Sequence, residues 1–178
     1  EPLMQADFVR ELFELCHKEK LHTCLDTSGS IINDSVKALL KETNIPWIRT
    51  LYWYPAFIDD ELLDLIASEK RLCKYIDLPI QHASNRVLKS MCRRYSKEEL
   101  RDLLLKIREK IPGVTLRTTV LVGFPGETED DFNDLLELLE EIRFEHLGGF
   151  VYSPEEGTVA EKLRLESVPE EIARERLS

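Results

Sequence analysis

Seventeen consecutive residues, Leu116-Arg-Thr-Thr-Val-Leu-Val-Gly-Phe-Pro-Gly-Glu-Thr-Glu-Asp-Asp-Phe132, carry a strand, a glycine turn and the start of a helix. Val120, Leu121 and Val122 form a short apolar run of the kind a strand shows when both its faces are covered. Gly123, Pro125 and Gly126 end the run, and glycine permits both a positive φ and the close approach of a ligand. Thr128 and Asp131 stand at capping-box spacing. Phe132, Leu135, Leu136 and Leu139 then recur at i, i+3, i+4 and i+7, one apolar helix face. Proteins of the α/β class bind ligands where a strand feeds a helix through such a turn; an ordinary βα connection has the same local signature.

The same unit recurs along the chain. Strand-like runs occur at Thr23–Thr27, Trp47–Trp53, Tyr75–Ile80, Leu116–Val122 and Leu147–Tyr152. Helical patterns lie between them at Phe8–Lys18, Asn33–Leu40, Asp59–Ser68 and Ser96–Lys110, the last opened by a Ser96–Glu99 capping box. Alternating strands and helices imply a parallel sheet with right-handed crossovers. Five strands are too few to close an eight-stranded barrel, so the expected class is α/β, a partial TIM-like (β/α) barrel with about five parallel strands. Ligand groups then belong at the carboxyl ends of the strands: Asp26–Gly29, Tyr52–Pro55, Gln81 with His82, Gly123–Glu127, and Tyr152 with Ser153. Glycines, aromatics and hydrogen-bonding groups together suit a polar ligand with a flat ring.

At 178 residues the chain is expected to bury one core as a single domain. No apolar run approaches the roughly 18 residues of a membrane span, and the opening Glu1-Pro2-Leu3 reads as a start inside a longer chain. A net charge of −10 argues against a broad nucleic-acid surface. Cys16, Cys24, Cys73 and Cys92 form no Cys-x₂-Cys pair, a usage that suggests a reducing, cytoplasmic compartment. Cys16 shares an apolar helix face with Phe8, Leu12 and Leu15 and is expected in a core; His22 and Cys24 alternate on one strand but lack two further metal ligands.

Five motifs in order bring a resemblance. Trp47-Ile-Arg-Thr-Leu-Tyr-Trp-Tyr-Pro55, Tyr75-Ile-Asp-Leu-Pro-Ile-Gln-His82, Arg86-Val-Leu-Lys-Ser-Met91 with Arg93 and Tyr95, Leu116–Thr128, and Phe150-Val-Tyr-Ser-Pro-Glu-Glu-Gly-Thr158 resemble the radical S-adenosylmethionine (SAM) core of the methylthiotransferases. Gln81-His82 and Ser153-Pro-Glu-Glu-Gly157 resemble the type that modifies an aspartate of a small-subunit ribosomal protein more than the type that modifies tRNA. Residues 1 to about 30, with Glu1-Pro2 and His22-Thr-Cys-Leu-Asp-Thr-Ser-Gly29, resemble the activases of glycyl-radical enzymes, another radical SAM branch. The chain thus reads as a composite, activase-like over 1–43 and methylthiotransferase-like over 44–178.

The resemblance implies SAM and a [4Fe–4S] cluster as the parent cofactors. It places Gln81 and Arg93 on the ribose and carboxylate side of SAM, Thr119 near the ribose, Leu121 and Tyr152 beside the adenine, and Gly123 where the adenine approaches. Asp26 and Thr27 match activase positions near the SAM carboxylate and a bound cation. Both families hold their cluster on a Cys-x₃-Cys-x₂-Cys loop, which this sequence lacks, so a cluster is not expected on these residues. The expected function is that of a fragment or chimera of a ribosomal-protein methylthiotransferase, inactive alone. An activase-like protein and a non-catalytic barrel scaffold are the alternatives. An unpaired barrel edge is expected to favour self-association.

Overall fold

A computed structural model describes residues 2–23, 25–27, 38 and 47–178. The helix expected over 33–40 lies, but for residue 38, outside the described residues, as do Cys24 and the 43/44 junction. Five strands, β1 (Leu25–Thr27), β2 (Ile48–Thr50), β3 (Leu72–Asp77), β4 (Thr115–Val122) and β5 (His146–Val151), follow sequence order in the sheet. The β1–β2, β2–β3 and β4–β5 pairings are all parallel, as the alternation of elements requires. The chain divides into two compact units, Glu1–Leu78 with Arg108–Thr115, and Pro79–Ile107 with Leu116–Ser178.

In the first unit, β2 is shorter than the apolar run that announces it. Tyr52 adopts φ 58° and turns the chain out of the strand, and Trp53 N–H then donates to the Asp77 carbonyl at 2.9 Å. Helix α1 (Ala6–Lys18) carries apolar side chains on two sides. Ala6, Val9 and Phe13 are the buried ones, whereas Phe8, Leu12 and Leu15 are exposed and Cys16 is only half-buried. The face read as core is therefore the outer one: where a helix is apolar on two sides, tertiary packing and not periodicity selects between them. Helix α2 (Asp60–Ser68) begins at Asp59, whose Oδ1 accepts the Leu62 N–H at 2.9 Å, and buries Leu62, Leu63 and Ile66.

In the second unit, β4 alternates strictly, with Leu116, Thr118, Val120 and Val122 buried and Arg117, Thr119 and Leu121 half-exposed. A short helix, α3 (Asn85–Ser90), lies within the stretch before α4 (Lys97–Lys110), which buries Leu100, Leu104 and Ile107 as its period predicts. Helix α5 (Glu129–Ile142) starts with the expected Thr128–Asp131 capping box. Its buried stripe is Asp131, Leu135, Leu138 and Ile142, rotated from the expected one, and Leu136 is exposed. Lys97 bridges Asp134 and Glu137, and Arg101 pairs with Glu141, so an ion-pair ladder joins α4 to α5. Two short helices follow β5: α6 (Val159–Lys162) and α7 (Glu170–Leu177). Ala173 of α7 is buried on Gly123, and Leu177 sits over Gly149.

Candidate functional site

Gln81 leaves β3 after Pro79 and docks against the neighbouring strand. Its N–H donates to the Thr119 carbonyl at 2.9 Å, and its carbonyl accepts from Leu121 N–H at 2.8 Å. These two bonds form a parallel bridge and bring Gln81, Thr119 and Leu121 together. Gln81 holds φ 66°, the left-handed region that an L-residue enters only at a cost. The Tyr95 hydroxyl donates to the Ile80 carbonyl at 3.1 Å and so ties the segment bearing Arg93 to the residue before Gln81. Arg93 is half-buried, and its Nε is buried with no hydrogen-bond partner among the described residues. A buried N–H donor without an acceptor is costly, and a ligand oxygen is one way to satisfy it.

Gly123 and Tyr152 lie at the ends of β4 and β5. Tyr152 N–H donates to the Val122 carbonyl at 2.8 Å, and its ring meets Phe124 edge-on at 5.2 Å between centroids. Gly123 adopts φ +75°, and a Cβ there would stand 2.6 Å from the Cβ of Ala173. The open side of this glycine is thus filled by α7. A cavity of about 660 Å³ opens among Gly123, Pro125, Tyr152, Ser153, Arg164 and Arg174, a size typical of small-molecule sites. Gln81, Arg93, Thr119 and Leu121 do not line it. Asp26 and Thr27 lie in β1, paired in register with Arg49 and Thr50 of β2.

Beneath the glycine turn is a buried polar cluster that the sequence does not announce. Glu127 has a fully buried side chain. Its Oε2 accepts the Phe124 N–H at 3.2 Å, and its Oε1 accepts from Arg176 Nη1 at 2.7 Å. Arg176 also donates to Glu129 at 2.9 Å and lies over the Phe132 ring at 5.2 Å. His82 is fully buried, and its Nε2 faces Glu127 Oε2 at 3.5 Å, longer than a good hydrogen bond. Its Nδ1 accepts the Ser84 N–H at 3.0 Å, so the neutral ring carries its proton on Nε2, toward Glu127. Burial pushes the Glu127 carboxyl up, but His82 and the Gly123 and Phe124 amides outweigh it and hold the group below its ordinary value.

Asp131 forms a second cluster. Its oxygens accept from the Ser84 hydroxyl at 2.5 Å, the Thr128 hydroxyl at 2.6 Å, the Thr128 N–H at 2.7 Å, and Arg86. Burial again opposes ionisation, and these donors overcome it, leaving the carboxyl well below its usual range. Both acids titrate lower in the folded than in the unfolded chain. Their stabilisation is complete well above the unfolded-state values of about 4, and is lost progressively as the pH falls from there toward the lower folded-state values. The urea midpoint is expected to drop between about pH 5 and 3, and Asp131→Asn to flatten that drop. Identical profiles for the two proteins would refute this role for Asp131.

Comparison with known proteins agrees with this architecture. The model of the radical SAM superfamily matches residues 1–139, and the chain belongs to that superfamily. It is 46% identical over 95% of its length to the ribosomal protein uS12 methylthiotransferase RimO of Clostridium novyi (strain NT), covering 40% of that protein. It is 53% identical over 71% of its length to the enzyme of the same name from Pelotomaculum thermopropionicum, covering 28% of it. The chain therefore spans well under half the length of these relatives. The first match extends into the stretch that resembles the activases, since it leaves only 5% of the chain uncovered. Among solved structures, coproporphyrinogen III oxidase (HemN) of Escherichia coli aligns over 82% of this chain and 35% of its own, at 18% identity and TM-score 0.64. Elp3 of Methanocaldococcus infernus aligns over 99% and 50%, at 15% identity and TM-score 0.57. These likenesses are of fold, α/β with parallel strands in a partial TIM-like barrel.

The superfamily uses a [4Fe–4S] cluster, and the described residues do not fit one. Cys16 lies on α1, Cys73 in β3 and Cys92 after α3, and among the described residues no three His, Cys, Asp or Glu side chains converge. No described helix is long and apolar enough to cross a membrane.

Proposed function

We propose that this chain forms the SAM-binding part of a radical SAM methylthiotransferase whose substrate is a ribosomal protein. The observation that carries the reading is 46% identity over 95% of the chain to an enzyme named for that reaction on uS12. SAM, when bound, would supply the methyl group, and would activate a C–H bond only with an electron from a reduced iron–sulfur cluster, which the described residues do not hold. The chain's own residues bind and orient it. Gln81 offers a side-chain amide toward the ribose and carboxylate, and the buried Nε of Arg93, without a partner among the described residues, supports a second donor on that side. Thr119 is a hydroxyl on the half-exposed face of β4, one residue from the Gln81 bridge. Leu121 and Tyr152 present apolar surface for the adenine beside Gly123. Placement in the cytoplasm follows from the same reading, with ribosomal protein as partner.

Calorimetry with S-adenosylhomocysteine tests the pocket without chemistry. Gln81→Ala removes a neutral hydrogen-bonding group and is expected to weaken binding by about 0.5–1.5 kcal/mol; Arg93→Ala removes a charged donor and is expected to cost about 1.5–3 kcal/mol. Unchanged affinity in both variants would remove these residues from the site.

A further inference from the structure

We infer that Arg176 and Glu127 form a latch through which helix α7 holds the glycine turn and the Gln81–Ser84 segment in binding shape, making Arg176 a positioning residue for the SAM pocket. The inference rests on the pocket reading above and adds a residue outside the set proposed to contact SAM. Its ground is the company Glu127 keeps. A carboxylate is seldom fully buried unless paired. This one is paired with an arginine 49 residues further on in the chain. Its other oxygen takes the Phe124 N–H inside the turn, and the Glu127 N–H returns to the Phe124 carbonyl at 2.9 Å. The turn is thus wound around the carboxylate, and the carboxylate is held from α7.

Helix α7 has no independent claim to its position. It is eight residues long, and an isolated helix of that length is marginal in water. Its place is set by contacts on the turn, on β5 and on α5: Ala173 against Gly123, Leu177 against Gly149, and Arg176 on Glu127, Glu129 and the Phe132 ring. The guanidinium is itself constrained, with Glu129 on its second nitrogen, the Phe132 ring beneath it and little solvent exposure. On the far side of Glu127 stands His82, whose ring accepts the Ser84 N–H and whose backbone follows Gln81 directly. A shift of the carboxylate therefore reaches both segments, the turn through Phe124 and the Gln81 peptide through His82. Replacing a buried ion pair with apolar residues is often neutral for stability, so a single defined arrangement is the better account of what this one contributes.

The full chain, compared as wild type, Arg176→Ala and Arg176→Lys, tests this by hydrogen exchange read by mass spectrometry and by S-adenosylhomocysteine calorimetry. In Arg176→Ala, exchange is expected to accelerate in Gly123–Glu127 and in His82–Ser84, not only within α7, and affinity to fall by about tenfold or more, as for a lost charged hydrogen bond. Arg176→Lys keeps one charged donor, so both effects should be intermediate. Acceleration confined to α7 would overturn the latch and leave Arg176 an anchor for its own helix. Should Arg176→Ala fail to fold, Arg176→Lys decides alone: unaltered exchange in His82–Ser84 refutes the inference. If wild type does not bind S-adenosylhomocysteine, the pocket reading fails, while the exchange pattern still tests the latch.

Discussion

Glu127→Leu is expected to be among the most damaging single changes in the second compact unit, costing about 3–5 kcal/mol, the usual penalty for removing one partner of a buried ion pair. The leucine fills the space but leaves Arg176, whose side chain is 8% exposed, facing apolar surface where Glu127 had accepted from it. It also strips the Phe124 N–H of its acceptor. Adding Arg176→Met removes a buried charge left with Glu129 as its remaining acid and should recover part of the loss. Urea denaturation of the two variants decides the matter. A double variant no more stable than Glu127→Leu alone would mean that the carboxylate acts through the turn amides and not through Arg176.

The second large effect is expected at Gly123. An alanine there must hold φ +75°, which costs an L-residue about 1–2 kcal/mol. Its Cβ would also fall 2.6 Å from that of Ala173, and crowding of this kind costs a further 1–3 kcal/mol or so. Ala173→Gly should relieve only the steric share, so the two changes together should cost less than the sum of each alone. Strict additivity in the denaturation midpoints would show that α7 does not press on the turn.

Those two positions mark where sequence reading succeeds and where it stops. The turn itself, the Thr128–Asp131 cap and the Leu100, Leu104, Ile107 stripe were all readable, because each depends on residues within one or two helical turns. The parallel order of strands followed from their alternation with helices. The Glu127–Arg176 pair was not readable, because no local pattern marks a carboxylate for burial when its partner comes from another element. Helix α1 misled for a related reason: Phe8, Leu12 and Leu15 are as periodic as Val9 and Phe13, and only packing tells the outer row from the inner. Of the residues proposed to hold SAM, Gln81, Thr119 and Leu121 meet through a backbone bridge to β4 that no local pattern marks. The filling of Gly123's open side by Ala173 depends on a helix about fifty residues further along the chain, beyond the reach of any local pattern.

The left-handed backbone of Gln81 carries a consequence for evolution in the laboratory. Glycine would occupy that conformation without the roughly 1–2 kcal/mol strain of an L-residue, a gain only partly cancelled by the roughly 0.5–1 kcal/mol that its wider freedom when unfolded costs, so selection for thermal resistance alone should drift toward Gln81→Gly. Selection for ligand capture should hold the glutamine in place. The residue is thus a gauge: which way it moves in a library reports whether the population is being sorted for robustness or for what its side chain does.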